Sequence, residues 1–319
     1  MNLLVEYKDD NGVISNRTYN MSRLAFAKHF AIAGQRYAPT TKKFFRTLGM
    51  FFHYNQYLKR EGFRNNRFSL PPNNLSDPTE KGQFSNLAGK AIADFLSKQI
   101  DGSLFTMNYE AAMRELKMPI KGTRPDLIAF RQNSSLSNIN AIFAIESKGY
   151  MAGSSGNMTT HKNQSRGSIP VNFSVACVSY NIYNNIKCKY YDPINDDVKY
   201  DSDLLRALTK EYYTGLLSFL ETDLFEYREQ EYQGEQFYKI SLSRNLEKYY
   251  DVFPYPPHLA GEFYNLSLIL PKAIHTFAKQ GISEEIKPFI YNSEQQRGRI
   301  YIDTDRVGIS VDRELYFNF

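Results

Sequence analysis

The chain has 319 residues, which suits roughly two domains, or one large domain with extensions, and a core large enough to be stable without disulfides. Its 39 basic and 34 acidic side chains give a net charge of only +5, and its two cysteines, Cys177 and Cys188, form no CxxC pair, so we expect reduced thiols and neither a zinc site nor a disulfide scaffold. No apolar run approaches the length of a membrane span, and acidic residues follow the N-terminus too closely for a signal peptide, so the sequence predicts a soluble cytoplasmic protein.

The first predicted region, residues 1–75, is a basic, helical extension rich in aromatic residues. A short strand at 2–7 leads through the turn DDNG into helical patterns at 21–33 and 40–61. Residues 1–70 hold twelve lysines and arginines against four acidic residues, an excess of +8, so the other 249 residues carry −3. Clustered cations interleaved with aromatic side chains are typical of surfaces that bind nucleic-acid phosphates and stack on bases.

Two sets of side chains in this region support different predictions. Phosphate contacts are expected from the basic residues Lys42, Lys43, Arg46, Lys59, Arg60, Arg64 and Arg67. The aromatic residues recur at roughly helical spacing, so the alternative is that they form a core beneath a solvated basic face; they are Phe44, Phe45, Phe51, Phe52, Tyr54 and Tyr57. The excess of charge remains under either alternative, because buried aromatic rings do not neutralise exposed lysines.

The second predicted region, residues 76–185, combines a helix with several strands. It follows the Pro- and Asn-rich stretch LPPNNLSDPTEKG and opens with an amphipathic helix that Ser76 or Asp77, together with Glu80, would help to start. The helix is predicted over 84–100, strands over 103–109, 125–130 and 140–147, a Gly- and Ser-rich crossover over 151–169, and a further strand within 171–183. The predicted order is therefore helix, three strands, crossover and strand.

The third predicted region, residues 186–319, is an α+β region without a recognisable cofactor motif. Its clearest elements are a helix over 202–221 and a β-hairpin over 299–315. No Walker loop occurs in the sequence, so an ATPase or sensor that works with this protein would be a separate chain.

Charged residues mark the ends of two neighbouring predicted strands. Asp126 begins the strand at 125–130, and Glu146 and Lys148 end the strand at 140–147 on one face, because they are two residues apart. An antiparallel turn between these strands would bring both carboxylates and the lysine to one edge of the sheet, where the carboxylates would repel each other unless a cation lay between them. Oxygen ligands without histidine or thiolate favour Mg²⁺ or Mn²⁺ over zinc.

At these residues the chain resembles the PD-(D/E)xK nuclease superfamily. Pro125 and Asp126 match the first half of the motif, and Glu146, Ser147 and Lys148, twenty positions after Asp126, match the second. Four other acid-x-Lys triplets occur in the chain, but only Glu146 ends an apolar strand, and Pro125–Asp126 is the only Pro-Asp pair. The resemblance implies a restriction-endonuclease-like αβββαβ mixed-sheet core over roughly residues 80–185.

The resemblance also implies roles for individual residues. Asp126, Glu146 and the backbone carbonyl of Ser147 would bind one or two divalent ions, and Lys148 would orient or help to deprotonate the attacking water. Many family members add a glutamate from the first core helix; here the further acidic residue could be Glu80, Asp94 or Glu110 on the first strand, or could be absent. A glutamine one helix after the lysine recurs in part of the superfamily, and Gln164 in the crossover is the predicted auxiliary catalytic residue, with a plain surface position as the alternative.

The expected function is that of a Mg²⁺- or Mn²⁺-dependent nuclease that acts on nucleic acid, most simply a DNA endonuclease in bacterial restriction or anti-phage defence. An effector subunit activated by a protein partner and a homodimer are both compatible with the sequence. The alternative is a non-catalytic nucleic-acid-binding or scaffold protein with a decayed nuclease core.

Overall fold

The computed structural model describes residues 1–9, 11–34, 53–71, 77–131, 141–191, 202–223, 225–242, 266–282, 289 and 299–311. Within these ranges the protein is a mixed α/β structure with a seven-stranded mixed sheet and a five-stranded antiparallel sheet. None of the helices in these ranges has the length and apolar character needed to cross a bilayer.

The seven-stranded sheet has the spatial order β2-β1-β7-β6-β5-β4-β3. Its strands are β1 (Asn2–Lys8), β2 (Ile14–Asn20), β3 (Ser103–Asn108), β4 (Leu127–Arg131), β5 (Ala141–Gly149), β6 (Phe173–Tyr180) and β7 (Lys187–Tyr191). The pairs β1–β7 and β5–β6 are parallel, and the other neighbours are antiparallel. The strands predicted over 103–109, 125–130, 140–147 and 171–183 are confirmed as β3, β4, β5 and β6.

One face of this sheet is covered by two helices from the first half of the chain, α1 (Arg23–Ile32) and α3 (Pro78–Asp101). Helix α3 begins at the N-cap Asp77, whose carboxylate accepts a hydrogen bond from the Thr79 amide at 2.7 Å, and ends at Gly102, which has φ +65°. The predicted amphipathic helix is thus confirmed and starts six residues earlier than its apolar pattern, because the cap and Pro78 precede the first buried side chain.

The aromatic residues of the N-terminal region belong to the core on this face. Tyr54 and Tyr57 are buried, and the Tyr57 ring stacks on Phe84 of α3 with centroids 4.2 Å apart. The core alternative is therefore confirmed for these two tyrosines, whereas residues 35–52, with Phe44, Phe45, Phe51 and Phe52, lie outside the described part of the chain.

The helix predicted over 40–61 is interrupted where the structure describes it, although residue 53 and residues 60–61 are helical. Residues Asn55–Leu58 form a 3₁₀ turn, and α2 (Arg60–Arg64) is a separate short helix, because Lys59 between them has extended backbone with φ −59° and ψ 144°. Strand β2 was not predicted, because most of its side chains are exposed on both faces and it lacks an apolar alternation.

Helices from the rest of the chain cover the opposite face over β3 and β4. They are α4 (Tyr109–Glu115), α6 (Ser202–Leu217) and α7 (Ile274–Gln280), while α5 (Met158–Gln164) packs beside β5 and β6 within the crossover that joins these strands. The prediction that residue 110 lies on the first strand is wrong, because Asn108 caps α4 by accepting a hydrogen bond from the Glu110 amide at 3.1 Å.

The five-stranded sheet has the order β11-β12-β10-β9-β8. Its strands are β8 (Phe225–Tyr232), β9 (Glu235–Leu242), β10 (Leu266–Pro271), β11 (Ile300–Ile302) and β12 (Gly308–Val311). The predicted helix over 202–221 is confirmed as α6 with a 3₁₀ turn at Ser218–Leu220, and the predicted hairpin is confirmed over 300–311 as β11 and β12.

A buried ionic network joins the turn of that hairpin to α1 and α3. Asp303 and Asp305 each lie within 2.9 Å of the ammonium groups of both Lys28 and Lys98. All four side chains are at most 4% exposed.

The seven-stranded sheet includes strands from each of the three predicted regions. The boundary predicted at 185/186 lies inside the β6–β7 hairpin.

Candidate active site

Asp126 lies at the point where β4 begins, beside the end of β5. Its amide donates to the Ile145 carbonyl at 3.1 Å, which extends the antiparallel ladder by one bond. Its Oδ2 accepts two hydrogen bonds from Ser147, from the amide at 3.0 Å and from the hydroxyl at 2.7 Å. The Asp126 carboxylate is therefore held by the neighbouring strand in a fixed position relative to Glu146.

Glu146 and Lys148 follow on the same face of β5, as their spacing predicts. The Lys148 ammonium forms an ion pair with Glu146 Oε1. The Glu146 side chain is 4% exposed and that of Lys148 is 31% exposed, so the pair has a buried carboxylate and an ammonium that reaches solvent. Glu146 Oε2 is buried and has no hydrogen-bond partner within the described residues.

The charges at this site act on each other. Burial raises the pKa of Glu146, and the nearby Asp126 carboxylate raises it further, whereas Lys148 and Lys90 lower it. Burial lowers the pKa of Lys148, but pairing with Glu146 outweighs it, so this pKa is raised and the side chain is an ammonium at neutral pH. The raised pKa of the buried Glu146 carboxyl reflects a charge that a divalent cation would stabilise.

Helix α3 lies directly against the end of β5. A Cβ on Gly149 would lie 1.7 Å from the Ser85 carbonyl oxygen, and one on Gly89 would lie 2.5 Å from the backbone of Lys148. These two glycines allow the helix and strand to approach closely, which brings Lys90 into electrostatic reach of Glu146. Lys90 was not predicted, because its position in the helix shows no relation to the motif.

Gln164 lies near the candidate site without a described contact to the motif residues. It ends α5 and its Oε1 is 3.5 Å from His161 Nδ1, while His161 Nε2 is 3.2 Å from the Tyr150 hydroxyl. Tyr150 follows β5 two residues after Lys148 and acts electrostatically on its ammonium. Gln164 is thus linked to Lys148 through two intervening side chains; the alternation of 146, 148 and 150 is the signal that would have found Tyr150.

The three candidates for a further acidic ligand each have partners elsewhere. Glu80 Oε1 accepts from the Tyr57 hydroxyl at 3.1 Å. Asp94 lies 2.6 Å from His29 Nδ1 and accepts from Thr106 at 2.9 Å, within the buried network. Glu110 forms an ion pair with Arg124.

The donor set fits a magnesium-type ion held by few protein ligands. Among the described residues no group of three or more His, Cys, Asp and Glu side chains forms a metal cluster. Mg²⁺ is commonly bound by one or two carboxylates plus water and substrate phosphates, so Asp126 and Glu146 meet that requirement. The buried Glu146 Oε2 is the oxygen that such an ion would engage.

The basic N-terminal region is described over residues 1–9, 11–34 and 53–71. Arg60 and Arg64 on α2 are exposed, whereas Lys42, Lys43 and Arg46 lie outside the described residues. Burial, together with the charges of Arg60 and Arg64, lowers the pKa of Arg23 to about 10, so three guanidinium groups concentrate positive charge at this surface.

Cys177 and Cys188 are both free thiols, as predicted, and both are buried.

Comparisons with protein-family models, with curated proteins and with solved structures found no match to this chain.

Proposed function

We propose that this protein is a divalent-metal-dependent nuclease, with a restriction-endonuclease-like αβββαβ core made of α3, β3, β4, β5, α5 and β6. Helix α4 is an insertion between the first two strands of that core. The observation that carries the proposal is the convergence of two mutually repelling carboxylates, Asp126 and Glu146, with the Lys148 ammonium, while one buried Glu146 oxygen has no partner among the described residues.

The chemistry follows from the charge of each group. Mg²⁺ or Mn²⁺, when bound, would stabilise the charge of the phosphorane-like transition state and lower the pKa of a coordinated water. Asp126, Glu146 and the Ser147 carbonyl supply the oxygen ligands, and the Ser147 amide and hydroxyl orient Asp126. Lys148 acts as a hydrogen-bond donor that orients the attacking water or the scissile phosphate, since its raised pKa favours the ammonium.

Gln164 has an auxiliary role in this proposal. It acts on His161, and through it on Tyr150, and so helps to set the electrostatic surroundings of Lys148. The proposed substrate is DNA, and the proposed setting is bacterial restriction or anti-phage defence. Any step that needs ATP or a sensor would be supplied by a separate partner chain, because the sequence has no nucleotide-binding motif.

A second candidate is a non-catalytic nucleic-acid-binding or scaffold protein with a decayed nuclease core. The ion pair between Lys148 and Glu146 favours it, because this pair balances the buried carboxylate without a metal.

Cleavage assays separate the two candidates. The purified protein is incubated with plasmid, linear duplex, single-stranded DNA and RNA, with and without Mg²⁺ or Mn²⁺. Lys148→Arg and Lys148→Ala are expected to reduce cleavage by roughly two orders of magnitude or more, because arginine keeps the charge but loses the compact ammonium. Lys272→Arg is the matched control, since Lys272 and Glu229 form an exposed ion pair at 2.7 Å far from the motif in sequence.

If the protein cuts none of these substrates under either ion, including in the presence of the proteins encoded beside it, the nuclease proposal is wrong. If wild type and both Lys148 variants cut equally well, the protein is a nuclease but this site is not its active site.

A further inference from the structure

The sheet face that carries the candidate catalytic residues extends well beyond them. Strand register places Glu146 beside Ala176 of β6, Ala176 beside Tyr191 of β7, and Tyr191 beside Lys8 of β1. Residues in register on adjacent strands project to the same face of a sheet. Glu146, Tyr191 and Lys8 therefore lie in one row across four strands.

Two parallel rows complete this face. Lys148 is in register with Val178, which pairs with Lys189, which pairs with Glu6. The next row contains Tyr180, Lys187 and Leu4. We call the set Lys8, Lys187, Lys189, Tyr180 and Tyr191 the lysine face.

The two sides of the sheet differ in burial at β7 and β1. On the side packed against α1 and α3, Leu3, Val5 and Cys188 are buried. On the side of the lysine face, Leu4 is 44% exposed and Lys187 is exposed. This side of β7 and β1 is thus open to a ligand beyond α5, which packs on Ala176 and Val178 of β6, in contrast to β3 and β4, where α6 and α7 cover the same side of the sheet.

The lysine face is positively charged and partly aromatic. Lys189 lies 3.3 Å from Glu6, so the three lysines and this glutamate leave a net charge of +2. The ammonium groups of Lys8 and Lys189 lie 5.6 Å and 5.7 Å from the centre of the Tyr191 ring. Lys8 is the neighbour of Tyr191 on β1, and Lys189 precedes it by two residues on β7. Within the described residues no carboxylate forms an ion pair with Lys8 or Lys187.

We propose that the lysine face binds the phosphate backbone of a nucleic acid whose scissile bond lies at Asp126 and Glu146. This inference rests on the proposed function, because it takes the direction of the substrate from the candidate site. Three inter-strand steps of about 4.8 Å each put β1 about 14 Å from β5. Because α5 packs on β6 between these strands, a bound nucleic acid must pass beside or over this helix and therefore spans at least about four nucleotides of B-DNA at about 3.4 Å each.

The segment that carries Arg60 and Arg64 lies near one end of these strands. The Asn66 side chain accepts from the Asn2 amide at 2.8 Å at the start of β1, and its carbonyl accepts from the Ile186 amide at 2.8 Å directly before β7. The segment with Arg60 and Arg64 is thereby attached to the end of the strands where Lys187 lies. This segment packs through Phe63 and Phe68 on the opposite side of the sheet, so its cations add positive charge beyond the Lys187 end of the strands and not on the lysine face itself.

The test is the salt dependence of binding, measured without cleavage. A fluorescent 30-base-pair duplex and the corresponding single strand are titrated in EDTA at several salt concentrations. The triple variant Lys8→Gln, Lys187→Gln, Lys189→Gln is expected to flatten the slope of log affinity against log salt by about 2 to 3, since each phosphate contact contributes about 0.7 to 0.9. The control is Lys121→Gln, Lys210→Gln, Lys279→Gln, which removes the same charge from exposed lysines on other elements.

Equal slopes for the triple variant and the control would overturn the proposal, as would wild-type protein that binds neither probe. Lys187→Glu alone, at an exposed position, keeps the test decisive if the triple variant is unstable; it is expected to weaken binding more than Lys210→Glu. The two proposals fail in different ways. If the protein cuts DNA but the triple variant and the control have equal salt slopes, the nuclease proposal stands and the lysine-face proposal is wrong. If the protein binds through the lysine face but never cuts DNA, the lysine-face proposal stands and the nuclease proposal is wrong.

Discussion

Glu146→Gln is expected to stabilise the metal-free protein while it removes the response to magnesium. The wild-type carboxylate is 4% exposed, lies beside Asp126, and has only Oε1 paired, with Lys148. A buried polar atom without a partner costs roughly 1–3 kcal/mol, and more when it carries charge. Glu146→Gln keeps a polar atom at this position but removes its charge and the repulsion from Asp126. In EDTA the free energy of unfolding of the variant should therefore be about 1 kcal/mol above that of wild type.

Magnesium should reverse this order. A ligand that binds only the folded state at 100 times its dissociation constant stabilises it by about 2.7 kcal/mol. Wild type gains this stabilisation, and the variant, which lacks one of the two carboxylates, gains little of it. Urea unfolding in EDTA and in saturating Mg²⁺ measures both differences, with Glu229→Gln as the control, because Glu229 is an exposed carboxylate paired with Lys272.

The same reasoning fixes the pH dependence. The folded-state pKa of Glu146 is raised above its ordinary value of 4.5, so the folded protein holds this proton more tightly than the unfolded chain does. The resulting contribution to the free energy of unfolding is fully present below pH 4.5 and is lost as pH rises through the folded-state pKa. The advantage of Glu146→Gln in EDTA should thus be small at pH 4 and grow toward neutral pH. A variant that is less stable than wild type at neutral pH in EDTA, or that keeps the full magnesium response, would refute the assignment of Glu146 as an unsatisfied metal-binding carboxylate.

Three further outcomes follow from the charges. Asp126→Asn should abolish most of the rise in melting temperature that Mg²⁺ or Mn²⁺ causes in wild type, and an unchanged rise would mean that the ion binds elsewhere. Arg60→Gln combined with Arg64→Gln should flatten the salt slope of nucleic-acid affinity by about 2 with little change in sequence preference; unaltered binding would assign this surface to protein contacts or structure. Lys98→Met should lower the free energy of unfolding by about 3–5 kcal/mol, because it leaves Asp303 and Asp305 with one ammonium where there were two, and urea unfolding of Lys272→Met gives the comparison for an exposed lysine.

The sequence by itself determined the local elements of the central region. Apolar runs predicted β3 to β6, and helical periodicity with the Asp77 cap predicted α3, because both signals depend on neighbouring residues. The spacing of Glu146 and Lys148 likewise predicted their common face, and the Pro125–Asp126 pair marked the start of β4. These are consequences of strand geometry that hold before any tertiary contact forms.

Only the tertiary structure decided which residues surround that motif. Lys90 approaches Glu146 because Gly89 and Gly149 allow α3 and β5 to touch, and Asp94, an acidic residue of the same helix, is instead paired with His29. No local pattern distinguishes these two residues, since they lie four positions apart on the same side of α3 and differ in which distant segment each one meets. The choice between them is made by packing.

The lysine face has the same origin. Lys8 and Lys187 are far apart in sequence and come together because β1 pairs with β7 in parallel, a pairing for which the sequence carries no local signal. The hairpin residues Asp303 and Asp305, within the predicted hairpin, hold Lys28 and Lys98 in the interior. The sequence shows how many charged groups the fold must accommodate. Their partners are decided by burial and strand pairing, because burial and strand pairing depend on contacts between distant segments of the chain.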